Sequence, residues 1–89
     1  MSEQNMQQLL NERGKRYGEY REHARITQAI KRAMADSPNW GILSDDKRET
    51  LDMLAHKLGR ILNGDPEYED SWIDCVGYIT LTLQELTKK

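Results

Sequence analysis

Phenylalanine is absent from this 89-residue chain, and proline (two), tryptophan (two) and cysteine (one) are scarce. The lone Cys75 cannot close an internal disulfide, so the sequence gives no support to an oxidising compartment. No run approaches the roughly 18 consecutive apolar residues that a membrane-spanning helix needs. The opening stretch, MSEQNMQQLL, lacks the basic start and apolar run of a secretory signal, and the expected location is therefore cytoplasmic. One cysteine and two histidines leave too few ligands for a structural zinc site. Walker A, G-x-G-x-x-G, C-x-x-C, H-E-x-x-H and G-x-S-x-G motifs are all missing, which sets aside several familiar chemistries. Strand signals are nearly absent too, so the sheet-based nucleic-acid modules are excluded.

What is present is charge. Charged residues make up 31% of the chain and hydrophobic ones 37%, with a net charge of -2 and a mean hydropathy of -0.86. The charge is uneven: residues 1–35 carry seven Lys/Arg against four Glu, and residues 36–89 carry six against eleven Asp/Glu. A nonspecific nucleic-acid binder would be more basic overall, so none is expected. The length suits one domain with a marginal core, for which association of copies is a common remedy.

The periodicity predicts an all-α fold: a compact bundle of three main helices plus a short N-terminal helix in an arm spanning residues 1–13. Helix one is expected over 19–35, where Tyr20, Ala24, Ile26, Thr27, Ile30, Ala33 and Met34 cover a broad apolar arc before Asp36-Ser37-Pro38 ends it. Helix two is expected over 45–63, opened by Ser44-Asp45-Asp46 and closed by Gly64. Helix three is expected over 70–87. Its main stripe is Trp72, Val76, Ile79, Leu83 and Leu86, while Ile73, Gly77 and Leu81 on the opposite side suggest a subunit interface.

Asp70-x-x-x-Asp74 is the strongest chemical candidate. Residues four apart are neighbours on a helix, and two carboxylates side by side repel unless a cation or an arginine lies between them. Mg²⁺ prefers such oxygen ligands; the competing reading makes Asp70 a helix cap and leaves Asp74 in water. On helix two, Lys57 and Arg60 can hold a phosphate, and Glu49-x-x-Asp52 has metal-ligand spacing. A solvated, salt-bridged surface accounts for the same residues. Arg21, Arg25 and Arg32 line one side of helix one, preceded by Arg13-Gly14-Lys15-Arg16, and offer either a groove for a phosphorylated small molecule or a plain charged face. His23 lies within the apolar arc and reads as a hydrogen-bonded core residue, and Tyr17-Gly18 reads as a turn.

The run Glu12-Arg13-Gly14-Lys15-Arg16-Tyr17-Gly18, then Trp40, Lys57-Leu58-Gly59-Arg60 and Asp70-Ser71-Trp72-Ile73-Asp74 with Gly77-Tyr78, resembles a family of small phage and prophage proteins. That family in turn resembles a trimmed relative of the all-α MazG-like nucleoside triphosphate pyrophosphohydrolases, helical oligomers that use Mg²⁺ to split (d)NTPs. The resemblance implies metal ligands at Glu49, Asp52, Asp70 and Asp74, with catalysis resting on Asp70 and Asp74 and phosphate contacts on Lys57 and Arg60. The carboxylate pattern departs from that family's signature, with Asp for Glu twice and one extra residue in the second pair. Three functions are therefore weighed: a Mg²⁺-dependent pyrophosphohydrolase-like protein, a nucleotide-sequestering module without catalysis, and a phage accessory protein that binds and inhibits a host protein. The first two take a nucleotide as partner, and a homo-oligomer without membrane contact is expected.

Overall fold

A computed structural model describes residues 3–88, so the first two residues of the expected arm lie outside it. Those residues fold into four α-helices with no strand: α1 (Glu3–Tyr17), α2 (Tyr20–Ala35), α3 (Asp45–Asn63) and α4 (Glu69–Thr87). A short 3-10 turn, Trp40–Ile42, lies between α2 and α3. The first helix runs four residues beyond the expected Arg13, because Gly14 does not interrupt it. The break comes at Gly18, whose amide closes the last turn on Gly14 O at 2.8 Å and whose φ of 79° turns the chain away.

The start of α3 follows its sequence signals in part. Ser44 occupies the capping position with Asp45 and Asp46 in the first turn, yet its hydroxyl makes no cap hydrogen bond and instead accepts from Lys47 Nζ at 3.2 Å. Arg48 ties the preceding turn down by donating to Trp40 O at 3.0 Å and Gly41 O at 2.9 Å.

The central element is α3, with α2 and α4 packed antiparallel on either side of it. Small residues let α2 approach: Ala55 is fully buried, Gly59 is buried, and His23 and Thr27 close over them. A Cβ at Gly59 would overlap Thr27 Oγ1 and lie 2.9 Å from the His23 ring. On the other side the register is set by Thr82 Oγ1, which donates to Thr50 Oγ1 at 2.7 Å, and by the ion pair of Lys57 Nζ with Asp74 Oδ2 at 2.8 Å. The α4 residues that turn toward α3 are Ser71, Cys75, Tyr78 and Thr82, a narrow stripe of which only Ser71 is fully buried.

That stripe corrects the expected orientation of α4. Trp72, Val76, Ile79, Leu83 and Leu86 face outward with 52–65% of their surface exposed, rather than filling the bundle. They lie about 90° around the helix from the residues that meet α3. On α3, Leu58 and Leu62 lie at a similar angle from the residues that meet α4, and both are exposed. Because the two helices run in opposite directions, these two stripes turn to the same side of the hairpin, away from the Lys57–Asp74 pair. Large apolar side chains of this face therefore sit outside, while Ile26, Ile30, Leu51 and Leu54 are half-buried between the helices; Ile61 is the only large hydrophobic residue among the described ones that is buried.

The shape agrees. The radius of gyration is 15.5 Å and the extents are 51 × 27 × 26 Å, against a radius of about 12 Å for a compact chain of this length. Among the described residues no helix is long and apolar enough to cross a membrane.

Two glycines separate packing from propensity. Gly59→Ala is expected to cost roughly 2 kcal/mol by overpacking the α2–α3 contact, lowering the melting temperature by about 10 °C. At Gly77 a methyl group would meet nothing within 4 Å, so Gly77→Ala should instead gain about 0.5–1 kcal/mol. Calorimetric melting of the two variants checks both signs.

Candidate functional site

The corner between α1 and α2 docks on the corner between α3 and α4. Asn63 Nδ2 donates to Tyr17 O at 3.0 Å and to Glu19 O at 2.9 Å, and the Asp65 amide donates to Arg16 O at 2.6 Å. Gly64 permits this contact, since a Cβ there would run into Arg16 O and Tyr17 Cα. Above the joint, the Arg60 guanidinium lies 4.0 Å over the Tyr17 ring, and Arg16 lies 5.2 Å over Tyr68. Tyr17 and Tyr68 meet edge to face with centroids 6.1 Å apart.

This joint borders a groove of about 420 Å³ between α1, α2 and α3, within the usual size of small-molecule sites. Its floor holds His23 and His56, whose rings meet edge to face at 4.8 Å. Its walls carry Tyr17 and the largely exposed Tyr20, with Leu10 at one end. Arg13 and Arg60 border it, and neither has an acidic ion-pair partner among the described residues. Glu19 is the one acid on the rim.

The groove holds both histidines neutral. Burial pushes His56 down to about 4, reinforced by the positive charges of Arg60, Lys57 and Lys31 and by its coupling to His23, since the two rings resist charging together. Burial also lowers His23, against a backbone contact with Gly59 that favours its charged form. Thr27 Oγ1 lies 3.5 Å from His23 Nε2, and Nδ1 is buried with no hydrogen-bond partner. The expected core histidine is thus in place, though sparsely bonded. Chemically, the groove offers flat aromatic faces, neutral imidazoles and two guanidinium groups. That combination suits a planar ligand carrying an anionic group.

The residues singled out from the sequence are dispersed. Arg60 is in the groove. Lys57 is not on an open face: its side chain is 11% exposed and its ammonium group is held by Asp74. Asp52 lies 4.0 Å from Lys31. Asp70 sits in the first turn of α4, where Tyr68 caps the helix and its hydroxyl donates to Asp70 Oδ2 at 3.0 Å; that bond raises the Tyr68 pKa. Glu49 and Arg21 are exposed on α3 and α2. Arg25 is exposed and donates to Glu22 at 2.9 Å, holding that carboxyl below its ordinary range.

The two carboxylate pairs do not meet. With Lys57 level with Asp74, Asp52 and Glu49 lie five and eight residues back along α3, about 8 and 12 Å at the rise of a helix. No three His, Cys, Asp or Glu side chains among the described residues are grouped to hold a metal ion. Within one chain, this donor set does not fit a magnesium site.

Sequence reading missed Tyr17, Tyr20, Arg13 and His56 as a group. The signal was present in Arg13-Gly14-Lys15-Arg16-Tyr17-Gly18, where an aromatic residue beside arginines precedes a glycine able to turn the chain back.

The histidines also predict a pH dependence. The unfolded chain protonates His56 near 6.5, whereas the folded chain resists until about 4. Between those values the unfolded state binds more protons, so stability falls as pH drops from about 6.5 to about 4 and is indifferent to this group above that range. Replacing His56 with Gln should flatten the fall in melting temperature over that window; an unchanged slope would show that His56 is not responsible.

No curated protein and no solved structure matches the chain. A family model does, over residues 3–86, which is nearly its whole length. By that match this all-helical chain belongs to the DUF6378 family, a domain of unknown function.

Proposed function

We propose that this chain binds a nucleotide in the α1–α2–α3 groove, with the base against Tyr20 and the imidazoles and the phosphates against Arg13 and Arg60. One observation carries the reading: two guanidinium groups, without acidic ion-pair partners among the described residues, border a groove whose other lining is aromatic, imidazole and aliphatic, with Glu19 the one acid on its rim. A mononucleotide has both halves of that chemistry. Arg60 is pre-oriented by its stack on Tyr17, so little side-chain freedom is lost when its remaining N–H groups meet a phosphate. Neutral His56 can both donate and accept a hydrogen bond at a base edge, whereas an imidazolium could only donate.

The resemblance to phage-type MazG-like pyrophosphohydrolases supports the nucleotide and points to Mg²⁺-dependent hydrolysis. The dispersal of Glu49, Asp52, Asp70 and Asp74 supports binding without hydrolysis. The sequestering role is therefore preferred, and no chemical step is assigned to a metal.

A thermal-shift panel of NTPs, dNTPs and cyclic dinucleotides, each with and without Mg²⁺, tests this. At a hundredfold excess over Kd, one nucleotide class should raise the melting temperature by about 10 °C in the absence of metal, with no pyrophosphate released. Arg60→Ala should raise that Kd at least tenfold. Absence of any shift refutes the groove as a nucleotide site, and Mg²⁺-dependent release of pyrophosphate would restore the hydrolase.

A further inference from the structure

The outward stripe of α4 and the Leu58–Leu62 edge of α3 form one continuous apolar face without a charged residue among them. Single exposed hydrophobic residues need no explanation, but a contiguous patch running the length of a helix does. The chain accessible surface is 6847 Å². A folded monomer of 10.4 kDa exposes about 5,400 Å². The surplus of roughly 1,400 Å² exceeds the ~800 Å² that each partner buries in a standard interface.

We infer that this face is covered by a second copy of the same chain, α4 against α4 and α3. Three features of the molecule select a copy over a foreign partner. The surplus, counted over the whole chain with the exposed helix α1 included, is of the size that each partner of an obligate dimer buries. The stripe repeats at intervals of four, three, four and three residues, the spacing by which paired helices interlock, and a two-fold pairing of copies sets this one stripe against itself. Among the described residues only Ala55 and Ile61 are fully withdrawn hydrophobic residues, the other large ones being half-buried or exposed. A core this small is best completed by a covering that is present whenever the chain is folded, at equal stoichiometry. The pair so formed is a two-layer bundle whose missing core is made between the chains. It leaves the Arg60 groove and the Lys57–Asp74 pair on the outer sides, and it stands whether or not the groove binds a nucleotide.

The face differs from the one suggested by the sequence, where Ile73, Gly77 and Leu81 on the opposite side of α4 were the expected contact. Sedimentation equilibrium of the full chain should give twice 10.4 kDa down to low micromolar concentration. Leu83→Ala, which removes apolar area without adding charge, should raise the dimer Kd about tenfold or more, and Ile79→Glu should abolish the dimer. Leu81→Glu, equally exposed but on the other side, should leave the mass unchanged. Because Ile79→Glu can unfold the chain outright, the wild-type mass and the Leu83→Ala shift carry the test. A 10.4 kDa species at every concentration overturns the inference, as does a dimer weakened by Leu81→Glu and indifferent to Leu83→Ala.

Discussion

The closeness of α2 and α3 at Gly59 constrains everything else. A helix pair joined through Ala55, Gly59, Thr27 and a histidine ring gains its stability from short backbone separation rather than from large buried side chains. The same economy holds on the other flank, where α4 meets α3 through Ser71, Cys75, Tyr78 and Thr82. Contacts of this kind fix geometry well and supply little hydrophobic free energy. With its closest intrachain contacts made largely by small and polar residues, the chain has large apolar side chains left exposed, and Trp72, Val76, Ile79, Leu83 and Leu86 gather on one side of α4.

The second constraint is the glycine joint. Gly18 bends the α1–α2 corner by adopting a left-handed conformation, Gly64 lets the α3–α4 corner come against it, and Asn63 closes the contact with two hydrogen bonds. Only then do Arg60 and Tyr17, 43 positions apart in the chain, stack on each other. The groove is thus built between three elements, and its rigidity derives from the joint rather than from the walls.

Much of the fold was legible in the sequence. Pro38, Ser44-Asp45-Asp46 and Gly64-Asp65-Pro66 act through local physics, by removing donors, placing acids at a helix start or turning the chain, and the helix limits they mark are those observed within a residue or two. The rotation of α4 was not legible. A helical wheel gives the angle between stripes but not which stripe meets a neighbour of the same chain, and on α4 both sides carry large apolar residues. The candidate site was legible only at Arg60. Spacing within a helix says that Glu49 and Asp52 share a face, as do Asp70 and Asp74; the relation of the two pairs depends on the antiparallel register that Thr50–Thr82 and Lys57–Asp74 set. Tyr17 and Arg13 gain their meaning from a turn whose sign of φ no periodicity reveals.

Cys75 belongs to the narrow stripe that α4 turns toward α3, and burial raises its pKa above the ordinary thiol range, with only partial relief from the Lys57 charge. At neutral pH the thiol form is therefore favoured, and oxidants or alkylating agents, which need the thiolate, react slowly with this half-buried sulfur while the hairpin is closed. The sulfur serves as a built-in gauge of the α3–α4 contact: its labelling rate rises with the fraction of time α4 stands away from α3, readable by mass spectrometry on the unaltered chain.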